Sequence, residues 1–174
     1  MNGSPIMGPR MQGIALRAAA PGDFADVCAL NQAAVQHTSP MDVAQLTALD
    51  QLSCYHTVAC VDGRIGAFVL VMRAGARYEN ENFAWFTRRY ADFLYVDRVV
   101  VAAPFRGLHL ASLLYDDLFR YARQEGIPQL TCEYNIVPPN EPSRLFHSRF
   151  GFREQGTQWV AKGTKQVSLQ AVEI

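Results

Sequence analysis

Apolar residues along the chain recur with two different periods, and the places where the period changes mark out its elements. Ile14 and Leu16 alternate with polar neighbours in Gly13-Ile14-Ala15-Leu16-Arg17, a short strand pattern that Pro21-Gly22-Asp23 ends. Asp23 is placed to cap a helix in which Phe24, Val27, Cys28, Leu30 and Asn31 share one face through about Gln36. Ser39-Pro40 predicts a second helix start, with Ser39 as N-cap and Val43, Leu46 and Leu49 on one face. Two β-rich runs follow, His56 to Val61 and Gly66 to Arg73, joined through Asp62-Gly63, a strong hairpin signal. Phe93 to Ala103 predicts a long strand, Leu108 to Gln124 a helix closed by Gly126, and Gln129 to Ile136 another strand. Asn140 to Phe150 reads as a helix capped by Asn140 and closed by Gly151, and 152–162 with 165–174 as a terminal antiparallel pair. The order β, α, α, β, β, β, α, β, α, β, β predicts an α/β (α+β) fold with a mixed, mainly antiparallel sheet and helices on its faces.

Size and composition narrow the class. The 174 residues and 49% hydrophobic content suit one globular domain, expected over 11–174, with residues 1–10 expected to be a disordered leader that holds no apolar signal segment. Met7 and Met11 are alternative natural starts. Sixteen Lys and Arg balance sixteen Asp and Glu, so no overall field gathers nucleic acid or an anionic membrane. Cys28, Cys54, Cys60 and Cys132 form no C-x-x-C pair and sit among apolar residues, which fits free thiols and a cytoplasmic location. The apolar run 99–103 stops at Pro104, far short of a membrane span. The chain has no phosphate loop of the G-x-x-x-x-G-K-[ST] kind, no G-x-G-x-x-G after a strand, no G-x-S-x-G elbow and no histidine spacing for zinc, so no metal is expected.

One constellation remains. A buried strand, Tyr95 to Ala103, runs into the turn Pro104-Phe105-Arg106-Gly107, and the turn opens a helix through Leu108, His109, Leu110, Ala111 and Ser112. Unpaired N–H groups at such a helix start hold an anion well; a plain strand-turn-helix with a surface arginine is the bland reading. Arg106-Gly107-Leu108-His109-Leu110-Ala111 resembles the [Q/R]-x-x-G-x-[G/A] turn of the GCN5-related N-acetyltransferase (GNAT) superfamily. Asn140 to Phe152, with Asn140, Ser143, Phe146, His147 and Gly151, resembles that superfamily's N-x-x-A-x-x-[F/L]-Y-x-x-x-G-F helix and turn. The element order from Met11 to Ile174 resembles it as well.

The resemblance implies a sheet of about seven strands splayed at its centre, and transfer of an acetyl group from acetyl-coenzyme A to a primary amine of a small molecule or peptide. It implies that the pyrophosphate rests on the backbone of Gly107 to Ser112 beside Arg106, and that the pantetheine arm pairs with the backbone of Val99, Val100 and Val101, with Asn140, Ser143 and Phe146 alongside. His109 replaces the turn's central glycine, so its ring collides with the cofactor, points outward or donates to a phosphate. The family's usual tyrosine acid aligns with His147, which either donates a proton near neutral pH or packs beside Phe146. Tyr134 is the spare acid, or a half-buried strand aromatic.

Asp97 and Glu133 are carboxylates in apolar runs, suited to take a proton from the amine unless they face solvent or pair with Arg98; Asp97 is the first choice as base. Ala74 to Phe93 is longer than a hairpin needs and reads partly as a helix. There Glu79, Glu81 and Trp85, with Glu133 across the sheet, suit a small amine, although Trp85, Phe86 and Tyr90 equally suit a sheet-edge cover or a homodimer contact. The expectation is a cytoplasmic N-acetyltransferase needing no metal, membrane or nucleic acid; the alternative is a catalytically silent acyl-coenzyme A binding module.

Overall fold

The computed structural model describes residues 13–174; the leader expected over 1–10 lies outside the described residues. Seven strands form one sheet in the order β1-β2-β3-β4-β5-β7-β6: β1 (Ile14–Ala18), β2 (Tyr55–Val61), β3 (Arg64–Arg73), β4 (Leu94–Val101), β5 (Gln129–Val137), β6 (Arg153–Val160) and β7 (Lys165–Glu173). Every neighbouring pair is antiparallel except β4 and β5. The helices are α1 (Phe24–Ala33), α2 (Val43–Leu52), α3 (Glu81–Thr87), α4 (Leu110–Gln124) and α5 (Glu141–Arg149). The mixed sheet agrees with the sequence expectation, and so does the element order once α3 is added in the insert that reads partly as a helix. The terminal pair does too, but β7 inserts between β5 and β6, and that placement depends on which strand edge is left open.

Local signals account for most boundaries. Asp62 and Gly63 both take positive φ, 49° and 79°, as a two-residue turn matching the strand twist requires. Gly126 and Gly151 close α4 and α5, with Ile127 N–H reaching the Ala122 carbonyl at 2.9 Å and Phe152 N–H the His147 carbonyl at 3.2 Å. Asn140 caps α5 by accepting from Ser143 N–H. Two expected caps fail. Helix α2 starts at Asp42, which exchanges hydrogen bonds with Gln45, because the Ser39 carbonyl is taken by Asn31 and Arg98. Asp23 precedes α1 but spends its carboxylate on Arg17 and the Ala20 N–H, and α1 ends at Ala33 rather than near Gln36.

Helix α4 covers one face of the sheet, burying Leu110, Leu114, Tyr115 and Leu118 against Val69, Val71, Leu94 and Val96. The other face divides: α1 and α2 pack on Val58, Phe68 and Val100, while α3 packs Phe83, Trp85 and Phe86 on Leu70, Met72, Tyr95 and Leu169. Gly66 lets the start of α4 settle on β3, since a Cβ there would stand 2.8 Å from Leu110 Cδ1 and 3.0 Å from Phe105. Among the described residues no helix is long and apolar enough to cross a membrane.

Candidate functional site

The site begins with a failure of strand pairing. Strands β4 and β5 are partnered at Leu94 with Leu130 and at Tyr95 with Thr131, and no farther. Beyond that point β4 continues on β3 and β5 continues on β7, so the two parallel strands part and leave one edge of each open. A bulge in β4 sharpens the parting. Leu70 faces Arg98 and Val71 faces Val96, so Asp97 has no partner across the ladder. The extra residue reverses the faces that follow: Arg98 and Val100 turn toward α1, whereas Val99 and Val101 turn toward the α4 side. Buried backbone groups need partners, so an open strand edge inside a cleft is a place for an extended, amide-bearing ligand.

The cleft between the parted strands is a cavity of about 470 Å³. Its walls come from β4, β5, β7, α4, α5, the loop joining α1 to α2, the β3–β4 insert and the β6–β7 turn. It gathers Asp97, Glu133, Tyr134, His147, Glu79, Glu81, Val99, Asn140 and Ser143 of the expected site residues. Val100, Val101, the turn residues Arg106 to Ser112, Phe146 and Trp85 are not in its wall. Phe146 packs behind it on Tyr115, ring centroids 4.8 Å apart. Trp85 is corrected from substrate contact to core: it is 7% exposed, lies under Arg89 at 3.4 Å, and covers Gly156, where a Cβ would meet its ring at 2.8 Å.

Asp97 and Glu133 sit in different environments. Both Asp97 oxygens are engaged, one by the Tyr78 hydroxyl and one by Arg98 Nε at 2.6 Å. Arg98 extends the network, donating to Asn31 Oδ1 at 3.0 Å and to the Ser39 carbonyl and hydroxyl at 3.3 Å. The pair therefore ties the β3–β4 insert to the α1–α2 loop across β4. Burial opposes the Arg98 charge, but the Asp97 carboxylate beside it outweighs burial and raises the guanidinium pKa. Glu133 accepts from the Tyr95 hydroxyl at 2.9 Å through Oε1, while Oε2 is buried without a hydrogen bond. Burial pushes the Glu133 carboxyl up to about 8; the Tyr95 bond opposes that shift and the nearby Asp97 charge adds to it.

His147 differs from the expectation of a titrating acid. The Ser143 carbonyl, 2.8 Å from Nδ1, can only accept, so Nδ1 carries the proton and Nε2 accepts from the Tyr115 hydroxyl at 2.9 Å. Burial lowers its pKa to about 4 against that backbone bond, which keeps the ring neutral at physiological pH. Its role is to fasten α5 to α4. Tyr134 stacks on the His147 ring at 6.0 Å, lines the cleft, and accepts from Gln170 Nε2 at 3.2 Å; burial raises its pKa. Gln170 also donates to the Ser168 hydroxyl at 2.6 Å, and that hydroxyl donates to Glu154 at 2.5 Å.

The turn before α4 takes the shape that the glycine pattern calls for. Gly107 has φ +86°, and His109 adopts the left-handed conformation at φ 58° and ψ 25° as N-cap of α4. Histidine tolerates that region at modest cost, and the His109 residue is exposed. Helical bonding back into the turn begins with Leu113 N–H to the His109 carbonyl at 3.0 Å, so the N–H groups of Leu110, Ala111 and Ser112 head the helix. Arg106, exposed at the end of the turn, borders a smaller cavity of about 290 Å³ between α1 and the end of β4.

Compared with protein-family models, residues 25–152 match the acetyltransferase (GNAT) family. The chain belongs to this family. Solved structures show the same fold at low identity. Ard1 from Thermoplasma volcanium is 15% identical with a TM-score of 0.75, over 92% of this chain and 97% of that one. The ribosomal-protein-S18-alanine N-acetyltransferase from Escherichia coli is 12% identical at 0.71, over 93% and 94%. YncA from Salmonella typhimurium, solved with its cofactor acetyl-CoA, is 18% identical at 0.67, over 92% and 93%. No curated protein sequence matches the chain. Acetyl-coenzyme A is the cofactor of the GNAT family. Two features suit it here: the open β4 edge beside the cleft and the left-handed turn at the head of α4.

Proposed function

We propose that this chain transfers the acetyl group of acetyl-coenzyme A to a primary amine of a small molecule or peptide by direct attack in a ternary complex. The observation that carries this reading is Glu133, half-buried, with its Oε2 shielded from solvent and unpartnered in the same cleft where β4 and β5 part. The cofactor, when bound, supplies a thioester carbonyl open to attack. The edge of β4 at Val99 and Val101 that faces away from β3 would pair with the pantetheine arm, and the N–H groups of Leu110 to Ser112 at the head of α4, with Gly107 and Arg106, would hold the pyrophosphate. Asn140 and Ser143 lie on the α5 side of the same cleft.

Glu133 takes the base role in place of Asp97, because Asp97 is saturated by Arg98 and Tyr78 whereas Glu133 Oε2 is open and its carboxyl titrates near the working pH. Asp97 holds Arg98 and the two loops that border the acceptor. Tyr134 takes the acid role in place of His147, whose two ring nitrogens are already committed. Its hydroxyl gives a proton to the departing sulfur, and Gln170 supports the oxygen left behind. Glu79 and Glu81 stand at the rim, where a carboxylate favours an approaching ammonium. The balanced charge and four free cysteines fit a cytoplasmic enzyme acting on diffusible substrates.

The test is release of free thiol from acetyl-coenzyme A over a panel of amines, run beside a titration of coenzyme A by melting. Amine-dependent thiol release supports the reading. Cofactor binding with no turnover on any amine assigns the chain to a silent binding module.

A further inference from the structure

The cleft holds one more charged group, to which the transfer chemistry gives no role. Lys165, one of two lysines in the chain, is the first residue of β7 and lines the cavity. It is half-buried, and its ammonium makes no ion pair or side-chain hydrogen bond with the described residues. A cation beside a cleft with no side-chain partner of its own can give a ligand anion a charge-assisted hydrogen bond.

The sheet register relates Lys165 to Glu133. Glu133 pairs with Leu169 of β7, four residues along the strand from Lys165. Residues four apart on a strand project from the same face, and at roughly 3.3 Å per residue the two levels are about 13 Å apart. Side chains as long as lysine and glutamate take up much of that span and leave room for a short carbon chain between their tips. Val167, between the two levels on that face, is buried and apolar, as is Leu169 at the level of Glu133, which suits methylenes rather than a third charge.

Building on the transferase reading above, we propose that the acceptor is an amino carboxylate, a primary amine separated from a carboxylate by a short aliphatic chain. Lys165 holds the carboxylate and thereby sets the amine at Glu133 Oε2. In the transfer the amine nitrogen bonds to the acetyl carbon and the carbon–sulfur bond breaks. The amine gives its proton to Glu133, and the sulfur takes one from Tyr134. Lys165 neither gives nor takes a proton; it selects the substrate and positions it.

Three acceptors of equal chain length test this with the full chain and acetyl-coenzyme A: 5-aminopentanoate, pentylamine and 1,5-diaminopentane, beside a short peptide with a free N-terminus. 5-Aminopentanoate is expected to show kcat/KM roughly tenfold or more above pentylamine and the diamine, the size of one charge-assisted contact. Lys165→Met should bring the ratio of 5-aminopentanoate to pentylamine to about one, chiefly through KM, and Lys165→Arg should keep it well above one. Preference for pentylamine, for the diamine or for the peptide overturns the inference, as does a ratio unmoved in Lys165→Met. The transferase reading survives those results; absence of thiol release with every acceptor overturns both.

Discussion

Glu133→Gln separates catalysis from folding in one substitution. In the native protein the carboxyl titrates near 8 against an ordinary 4.5, and burial is the main cause. At about 1.4 kcal/mol for each tenfold change in proton affinity, the charged form is disfavoured in the folded state by about 5 kcal/mol at most, and entry of water into the cleft lowers that ceiling. The folded pKa is raised, so the folded state binds the proton more tightly than the unfolded chain does. The stabilising contribution is therefore full below about pH 4.5 and is lost as pH rises through 8. Glutamine has nearly the same shape and no charge, so the stability of the variant minus that of the native protein should grow with pH, by at most about 3 kcal/mol between pH 4.5 and 7 and at most about 4 kcal/mol between pH 4.5 and 9. Urea unfolding at a series of pH values measures the difference, in which other titrating groups cancel. In the same variant, acetyl transfer should fall roughly 10²- to 10⁴-fold, and the rise of kcat/KM through about pH 8 should disappear. A stability difference that stays flat from pH 4.5 to 9 would refute the buried-carboxylate argument, and full turnover in the variant would remove Glu133 as the base.

Other substitutions probe the remaining parts of the site. Tyr134→Phe should slow turnover by about a hundredfold or more with coenzyme A affinity retained, as stopped-flow thiol detection and calorimetry would show. His147 has a lowered folded pKa, so its contribution is present above the ordinary 6.5 and is lost as pH falls through about 4, costing about 3 kcal/mol; NMR should find its ring neutral at pH 6. His109→Gly should relieve the left-handed backbone by about 1 kcal/mol in thermal melts and bind coenzyme A at least as tightly as the native protein. Gly66→Ala should cost about 1–3 kcal/mol and weaken coenzyme A binding, because the added methyl meets Leu110 and Phe105 and shifts the turn.

Much of this protein is written locally. The Asp62-Gly63 turn, the glycine closures of α4 and α5 and the Asn140 cap depend on backbone conformations and hydrogen bonds made within a few residues, and such preferences act wherever the segment sits. The apolar stripe of α4 reflects a single buried face, and the nearly continuous apolar runs of β2 and β3 reflect strands covered on both faces; both are local patterns. The turn from Arg106 to Ala111, with the helix from Asn140, was enough to point to the family for the same reason: both are short segments whose shape their own residues set.

What the tertiary structure decided is everything that needs two distant segments at once. Ser39 and Pro40 form a good helix start in isolation, yet Asn31 and Arg98 claim Ser39 and move the start of α2 to Asp42. Asp97 and Glu133 look alike along the chain; the bulge in β4 delivers one to an arginine, and the parting of β4 from β5 leaves the other half-partnered in the cleft. His147 stands at a motif position for a proton donor, but Tyr115, 32 residues earlier, and burial make it a neutral strut. Trp85, in a stretch that suited an amine site, is drawn into the core by the space over Gly156. Protonation depends on the distance to partners and on the exclusion of water, and a sequence carries neither until its strands are paired.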